Sequence, residues 1–102
     1  MLAAPGVATP TEAFAALQAG AHALKLFPAE MVGQGGLKAL KSVLPSGTEF
    51  WPVGGITPES MGPWKKAGAT GFGIGSQLFA PGNTAKQVLQ RGRAYVQAWQ
   101  QA

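Results

Sequence analysis

Residues 21–28 read AHALKLFP, and this stretch decides the predicted fold because it is short, almost entirely apolar and closed by a proline. Such a run is typical of a buried strand rather than a helix. Strand alternation places Lys25 and Phe27 on one face and Leu24 and Leu26 on the other. Because both faces of a parallel sheet are covered, we expect the Lys25 amine to be withdrawn from water.

Lys25 is the residue of this stretch that could take part in chemistry. An amine withdrawn from water is held in its neutral, nucleophilic form, which forms Schiff bases with carbonyl substrates. The alternative is a lysine near a strand end whose stem lies along the sheet while its ammonium group stays in water. The stretch alone leaves both interpretations open.

The composition of the chain argues against several other classes of function. The chain has 102 residues, no cysteine, four acidic residues and a net charge of +4. Its bases are scattered rather than interleaved with aromatic residues, which argues against nucleic-acid binding and suits a small anionic substrate. We expect no disulfide, metal site, cofactor or membrane span, and we expect a soluble, cytoplasmic protein.

Helices and strands are predicted to alternate. Thr9-Pro10 and Thr57-Pro58 are typical helix starts, while Gly20 and Gly68 are typical helix ends. Strict alternation predicts an α/β protein with a parallel sheet. After a partial strand at 1–7, the predicted strands are 21–27, 49–53 and 70–74, and the predicted helices are 9–20, 37–44, 57–68 and 84–100.

An internal repeat indicates the architecture. Thr9-Pro10 recurs as Thr57-Pro58 with an offset of 48 residues, and each block holds two βα units. Repeated βα units predict a (β/α)8 barrel, and a whole barrel needs about 200 residues. The chain is therefore predicted to form half of a TIM barrel as one unit, residues 1–102. Its open edges and wet concave face should require a second half, from another copy or from a preceding segment.

Glycines at strand ends predict a binding site. Gly54-Gly55 and Gly75-Ser76 follow two successive strands, where backbone N–H groups of barrel loops often bind phosphate. Gly71, Gly73 and Gly75 share one face of the last predicted strand, which indicates either a crowded sheet corner or room for a ligand beside Lys25.

Other polar and aromatic residues receive structural interpretations. His22 lies on the face opposite Lys25 and is expected to be structural. Glu30 follows the strand end and is expected to be solvated or to cap a helix, although it could reach the mouth of the site. The tryptophans are expected in the core or facing a partner: Trp51, Trp64 and Trp99.

The sequence resembles the 2-keto-3-deoxy-6-phosphogluconate and 2-keto-3-deoxy-6-phosphogalactonate aldolases. The resemblance covers nearly all residues, and its most specific segments are PGVATPTE at 5–12, LKLFPAE at 24–30, KAL at 38–40, VGGITP at 53–58 and GIGS at 73–76.

The resemblance implies a class I aldolase built as a trimer of (β/α)8 barrels. Lys25 would be the Schiff-base lysine, which would release pyruvate and glyceraldehyde 3-phosphate from a phosphorylated 2-keto-3-deoxy sugar acid. Gly54, Gly55, Gly75 and Ser76 would bind the substrate phosphate, and Phe27, Val53 and Gly73 would line its pocket. Valine at position 53, rather than threonine, favours the galactonate substrate.

The resemblance begins at the family's fifth strand. The family's general acid/base glutamate and its carboxylate-binding residues therefore have no matching position. Three hypotheses remain, and two of them are the C-terminal half of an aldolase and a non-catalytic, self-associating half-barrel that at most binds phosphorylated sugars. A half of another phosphate-binding barrel, such as an isomerase, is a third.

Overall fold

The computed structural model describes all 102 residues and centres on a parallel sheet. Three strands, β1 (Gly6–Val7), β2 (Leu24–Leu26) and β3 (Phe50–Pro52), lie in the order β1-β2-β3. β2 is hydrogen-bonded on both sides, and Lys25 pairs in register with Gly6 on β1 and Trp51 on β3. The predicted α/β class with parallel strands is confirmed.

Four helices connect and cover the strands. They are α1 (Pro10–Gln18), α2 (Ala29–Val43), α3 (Pro58–Ala67) and α4 (Ala85–Gln101). Since every connection between successive strands contains a helix, the strands run parallel, as βα units require.

The residues predicted to begin and end the helices do so in the structure. The Thr9 hydroxyl accepts a hydrogen bond from the Glu12 N–H (3.2 Å), and Gly20 ends α1 with a φ of +97°. The N–H of Ala8 and the Thr9 hydroxyl donate to the Glu12 carboxylate, and these bonds hold the pKa of that carboxyl below its usual value. At α3, Thr57 and Ser60 form a reciprocal capping box, and Gly68 ends the helix.

The core lies between the sheet and the helices. Leu24 and Leu26 are fully buried there, together with Phe50 and Leu37. Lys25 and Trp51 alternate with these residues along their strands and are only half-buried. The predicted alternation in β2 is therefore confirmed, with Lys25 on the face turned away from the helices.

Two predicted boundaries are wrong, at the start of β2 and at the start of α2. β2 begins at Leu24 rather than Ala21, because the N–H groups of His22 and Ala23 both donate to the Ala3 carbonyl in place of a regular ladder. α2 begins at Ala29 rather than at the predicted residue 37, and its residues 33–36 are helical apart from Gly33, whose φ of 75° breaks α2 into two pieces. The other glycines there adopt helical angles despite their low propensity.

The predicted fourth strand at 70–74 is reduced to one bridge between Val53 and Gly73. The Thr70 N–H donates to the Phe50 carbonyl (2.9 Å), and the Gly73 N–H donates to the Pro52 carbonyl (3.0 Å). This segment thus advances three residues while β3 advances two, which interrupts the ladder as a bulge does. Its outer side has no neighbouring strand to restore regular pairing.

α4 is attached through its aromatic residues. The buried Tyr95 hydroxyl donates to the Ile56 carbonyl (2.6 Å), between β3 and α3. The Trp99 ring meets Phe72 edge-on at 5.7 Å, and the Lys65 ammonium lies 4.1 Å from the Trp99 ring centroid. Trp64 is buried and Trp99 half-buried, as predicted.

None of the helices is long and apolar enough to cross a membrane.

We predict that Tyr95→Phe lowers the free energy of unfolding by about 1–3 kcal/mol, because the buried Ile56 carbonyl loses its donor. Burial, followed by the nearby Glu59 charge, raises the pKa of Tyr95 above its ordinary value of 10.0. The unfolded chain therefore loses this proton first as the pH rises. The native protein should lose stability above about pH 10 relative to the variant. Chemical denaturation at about pH 8 and pH 11 measures both effects.

The matched control is Ala94→Ser, an exposed change on the same helix, which should stay within about 0.5 kcal/mol of the native chain. An unchanged stability for Tyr95→Phe would show that the hydroxyl does not tether α4.

Candidate active site

Lys25 stands in the middle of the sheet, on its concave face. Its register partner Trp51 lies beside it, and its Nζ is 4.9 Å from the centroid of the Phe27 ring, an interaction of the cation–π type. Phe27 itself is 48% exposed. The predicted withdrawal from water is met only in part, because Lys25 is half-buried and the concave face has no opposite wall in this chain.

A cavity of about 330 Å³ lies against this face. It brings together four of the predicted site residues: Lys25, Val53, Gly73 and Gly75. Trp51 also lines it, although the sequence predicts Trp51 in the core or at a partner surface. The signal that could have found it is strand parity, because Trp51 lies two residues from Val53 and hence on the same face.

Glycine is required at two of the three aligned positions because a neighbouring side chain leaves no room for a Cβ. A Cβ at Gly73 would lie 2.5 Å from Val53 Cγ2, and a Cβ at Gly71 would lie 2.9 Å from Trp51 Cδ1. A Cβ at Gly75 would meet nothing within 4 Å. The crowded-corner interpretation therefore holds at Gly71 and Gly73, and the open-space interpretation holds at Gly75.

The Gly54-Gly55 turn carries an acidic neighbour. Both glycines have positive φ, +116° and +66°, which other residues rarely adopt. A Cβ on Gly54 would lie 2.7 Å from Glu30 Oε1, and a Cβ on Gly55 would lie 2.7 Å from Glu30 Oε2. The Glu30 carboxylate thus lies over the turn while remaining exposed in the first turn of α2, which agrees with the solvated position expected of it. It does not line the cavity at Lys25.

Ser76 borders a second cavity, of about 310 Å³, rather than the cavity at Lys25. Thr57, Arg91 and Tyr95 line this second cavity, and Arg91 Nη1 donates to Asn83 Oδ1 (3.0 Å). The predicted phosphate residues are therefore distributed over three adjacent places: the Lys25 cavity, the Glu30-covered turn and the Ser76 cavity. No sequence signal marked Arg91, which is an exposed base on α4.

His22 has the structural role expected of it, because its Nδ1 accepts a hydrogen bond from the Ala3 N–H (3.0 Å). This bond holds the N-terminal segment against the loop that precedes β2. No three side chains of the metal-ligating types come together in the chain.

The fold and site define a parallel α/β unit whose central strand presents a lysine to an apolar cavity flanked by glycine turns. The profile of one protein family, KDPG and KHG aldolase, matches residues 1–92. The chain belongs to this family of aldolases.

Individual relatives of this chain agree with the family assignment. The 2-dehydro-3-deoxy-6-phosphogalactonate aldolase of Escherichia coli K12 is 47% identical over 102 residues, which are 100% of this chain and 50% of that protein. A probable 2-dehydro-3-deoxy-6-phosphogalactonate aldolase of Rhizobium meliloti 1021 is 43% identical over 99 residues, 97% of this chain and 47% of that protein. A solved structure described as native KDPGal superposes with a TM-score of 0.96 at 46% identity, covering 99% of this chain and 49% of its own.

The chain spans about half the length of the curated relatives that it matches. The superposition confirms the predicted fold class, a partial barrel of parallel βα units.

We predict that Gly73→Ala lowers the free energy of unfolding by about 1–3 kcal/mol, because the new methyl group overlaps Val53. Adding Val53→Ala should recover part of this loss by removing the overlapped methyl groups. Denaturant titration of the single and double variants measures the coupling.

Gly75→Ala is the matched control, since its Cβ enters open space, and it should change stability by less than about 0.5 kcal/mol. Equal effects at positions 73 and 75 would contradict the packing of Val53 against the last segment.

Proposed function

We propose that this chain carries the Schiff-base half of a class I aldolase acting on phosphorylated 2-keto-3-deoxy sugar acids. In this proposal residues 1–102 correspond to the C-terminal half-barrel, and Lys25 is the nucleophile. Family membership supports the reaction class. The observation that carries the assignment is the position of Lys25, the lysine that lines the cavity on the concave face together with Val53 and Gly73.

The chemistry follows from the amine. The unprotonated Lys25 Nζ attacks the C2 ketone of the substrate to give a carbinolamine, and protonation of its hydroxyl by solvent followed by loss of water gives an iminium ion. A base removes the C4 hydroxyl proton, the C3–C4 bond breaks, and its electron pair moves into the iminium to give an enamine. The aldehyde fragment, glyceraldehyde 3-phosphate, then leaves. Protonation of the enamine carbon and hydrolysis release pyruvate and regenerate Lys25.

Trp51 and Phe27 support the amine in this proposal. An aromatic neighbour on each side limits the approach of water on the concave face. Phe27, Val53 and Gly73 are the proposed pocket residues, and their apolar surface suits the pyruvyl methylene and methyl carbons. The small, apolar Val53 and the galactonate names of the two relatives favour the galactonate substrate.

The phosphate end is assigned to the glycine turns. Gly54, Gly55, Gly75 and Ser76 are the proposed contacts, through backbone N–H groups and the Ser76 hydroxyl. Arg91 borders the same cavity as Ser76 and supplies a positive charge there. Glu30 opposes an anion at Gly54-Gly55, so the phosphate is expected on the side of the turn away from that carboxylate.

The proton-transfer step limits the turnover that these residues can catalyse alone. The resemblance assigns it to a glutamate with no matching position in residues 1–102. Because general acid/base catalysis contributes about 10²–10⁴-fold, we expect Schiff-base formation by these residues but slow turnover.

A non-catalytic half-barrel that self-associates and binds phosphorylated sugars is the second candidate. The half-buried state of Lys25 favours it, because the aldolase proposal requires an amine enclosed away from water.

We predict that pyruvate and borohydride attach a reduced pyruvyl group to the purified chain and that Lys25→Ala abolishes this labelling. Borohydride reduces the iminium ion to a stable secondary amine, so intact-protein mass spectrometry detects each labelling event. Lys38→Ala, which removes an exposed lysine from α2, is the matched control and should label as the native chain does.

Labelling that survives in Lys25→Ala would refute Lys25 as the nucleophile. Absence of labelling in the native chain would favour the non-catalytic candidate. If phosphate binding were retained without labelling, a half of another phosphate-binding barrel would be the better assignment.

We predict that Ser76→Ala weakens binding of glyceraldehyde 3-phosphate about 3- to 10-fold, as expected for one lost hydrogen bond, and leaves pyruvate labelling unchanged. Ser42→Ala is the control, because its hydroxyl donates to the Ala39 carbonyl within α2, away from the glycine turns. Titration calorimetry measures the affinity. An equal effect of both substitutions, or none at Ser76, would remove Ser76 from the phosphate site.

A further inference from the structure

One face of α4 bonds to both of the loops to which the phosphate is assigned. Arg91 and Tyr95 lie one turn apart on this helix and therefore share a face. The Tyr95 hydroxyl donates to the carbonyl of Ile56 (2.6 Å), which directly follows the Gly54-Gly55 turn. Arg91 Nη1 donates to Asn83 Oδ1 (3.0 Å), in the loop that precedes α4. Two neighbouring side chains thus connect one helix to both loops.

The loop that precedes α4, residues 75–84, begins with a turn around Ser76. The Gly75 carbonyl accepts hydrogen bonds from the N–H groups of Leu78 (2.9 Å) and Phe79 (3.1 Å), which close this turn. The Ser76 N–H makes no backbone hydrogen bond within the chain and remains available as a donor. The conformation of the turn therefore decides where the Ser76 N–H and hydroxyl point.

The second half of this loop is held together by the Asn83 side chain. The Asn83 N–H donates to the Ala80 carbonyl (3.1 Å), and the Ala80 N–H donates back to Asn83 Oδ1 (2.8 Å). The same Asn83 oxygen accepts the hydrogen bond from Arg91. Because the two turns are adjacent in the chain, a second turn fixed to α4 by Arg91 also restrains the turn around Ser76.

The position of Arg91 is explained better by this hydrogen bond than by its charge. The cavity at Ser76 is lined by one basic and one acidic side chain, Arg91 and Glu59. These two charges offset each other, so the cavity as a whole attracts an anion weakly. The side chain of Arg91 reaches Asn83 because helical side chains lean toward the N-terminus of their helix.

We propose that Arg91 is a positioning residue of the phosphate site, whose hydrogen bond to Asn83 holds the turn around Ser76 in its binding conformation. Tyr95 holds the Gly54-Gly55 turn from the same helix face, so α4 sets the arrangement of the two loops. This inference rests on the proposed function, because it concerns the phosphate site assigned there. A loop that adopts its binding conformation about a third to a tenth of the time weakens the apparent affinity about 3- to 10-fold.

Titration calorimetry with glycerol 3-phosphate tests the proposal, since this probe has no aldehyde that could react with lysines. Asn83→Ala and Arg91→Gln should each bind it about 3- to 10-fold more weakly than the native chain. The double variant should lose less than the product of the two single losses, because both substitutions break the same hydrogen bond. Arg93→Gln is the matched control. It removes the same charge from an exposed position of α4 outside the Ser76 cavity and should bind as the native chain does.

Amide hydrogen exchange separates local positioning from a general loss of stability. In Arg91→Gln the N–H groups of Leu78, Phe79 and Ala80 should exchange at least about 3-fold faster, because the loop opens more often. The N–H of Leu24, which donates to the Glu49 carbonyl within the sheet, should keep its native rate. Faster exchange at Leu24 as well would show that Arg91 stabilises the whole fold, and the positioning role would be rejected.

The affinities also decide between positioning and charge. Native affinity in Asn83→Ala, combined with weak binding in Arg91→Gln, would overturn the proposal, because Arg91 would then act through its charge alone. Losses that multiply fully in the double variant would overturn it too, because the two residues would then act independently.

Pyruvate and borohydride labelling of Lys25 keeps this inference distinct from the proposed function. Labelling should be unchanged in Asn83→Ala and Arg91→Gln, since neither residue lines the cavity at Lys25. Native labelling and native phosphate affinity in both variants would refute the positioning role and leave the proposed function intact. A native chain that binds no glycerol 3-phosphate would refute the phosphate assignment itself, and the positioning role with it.

Discussion

The pairing of β2 on both sides is the constraint on which the rest of the structure depends. It fixes Leu24 and Leu26 toward the helices and thereby turns Lys25 toward the concave face. A shift of the register by one residue would bury the lysine in the core and expose both leucines. The pairing of β2 thus determines both which of its residues are buried in the core and which way the candidate nucleophile points.

The same strand pairing explains why the site is only partly enclosed. On the β3 side, Trp51 and Val53 lie against Gly71 and Gly73 and pack the wall of the cavity tightly. Beyond that wall the last segment has one bridge and no outer neighbour. This segment advances three residues while β3 advances two, so its pairing with β3 is interrupted. Lys25 remains half-buried because no residue of this chain covers it from the opposite side.

The local signals in the sequence predicted the fold well. Thr9 and Thr57 begin helices, Gly20 and Gly68 end them, and the alternation around Lys25 holds in the structure. Each of these features depends on residues a few positions apart, so the sequence contains what is needed.

Features that depend on distant contacts were not predictable. The irregular segment at 70–74 arises from its bulged pairing with β3, and residues 34–36 are helical despite glycine's low propensity. The position of Glu30 over Gly54-Gly55 needs the tertiary approach of α2 to the β3 turn. The separation of Ser76 from the Lys25 cavity is likewise a property of the folded loop.

The central claim is that the concave face makes one amine chemically different from the others of the chain. Peptide mapping of the native chain after brief treatment with limiting pyruvate and borohydride tests it most directly, because the six lysines and the N-terminus compete for the same reagent. We expect the reduced pyruvyl group on Lys25 alone. A label spread over the exposed lysines, with no excess at Lys25, would contradict it.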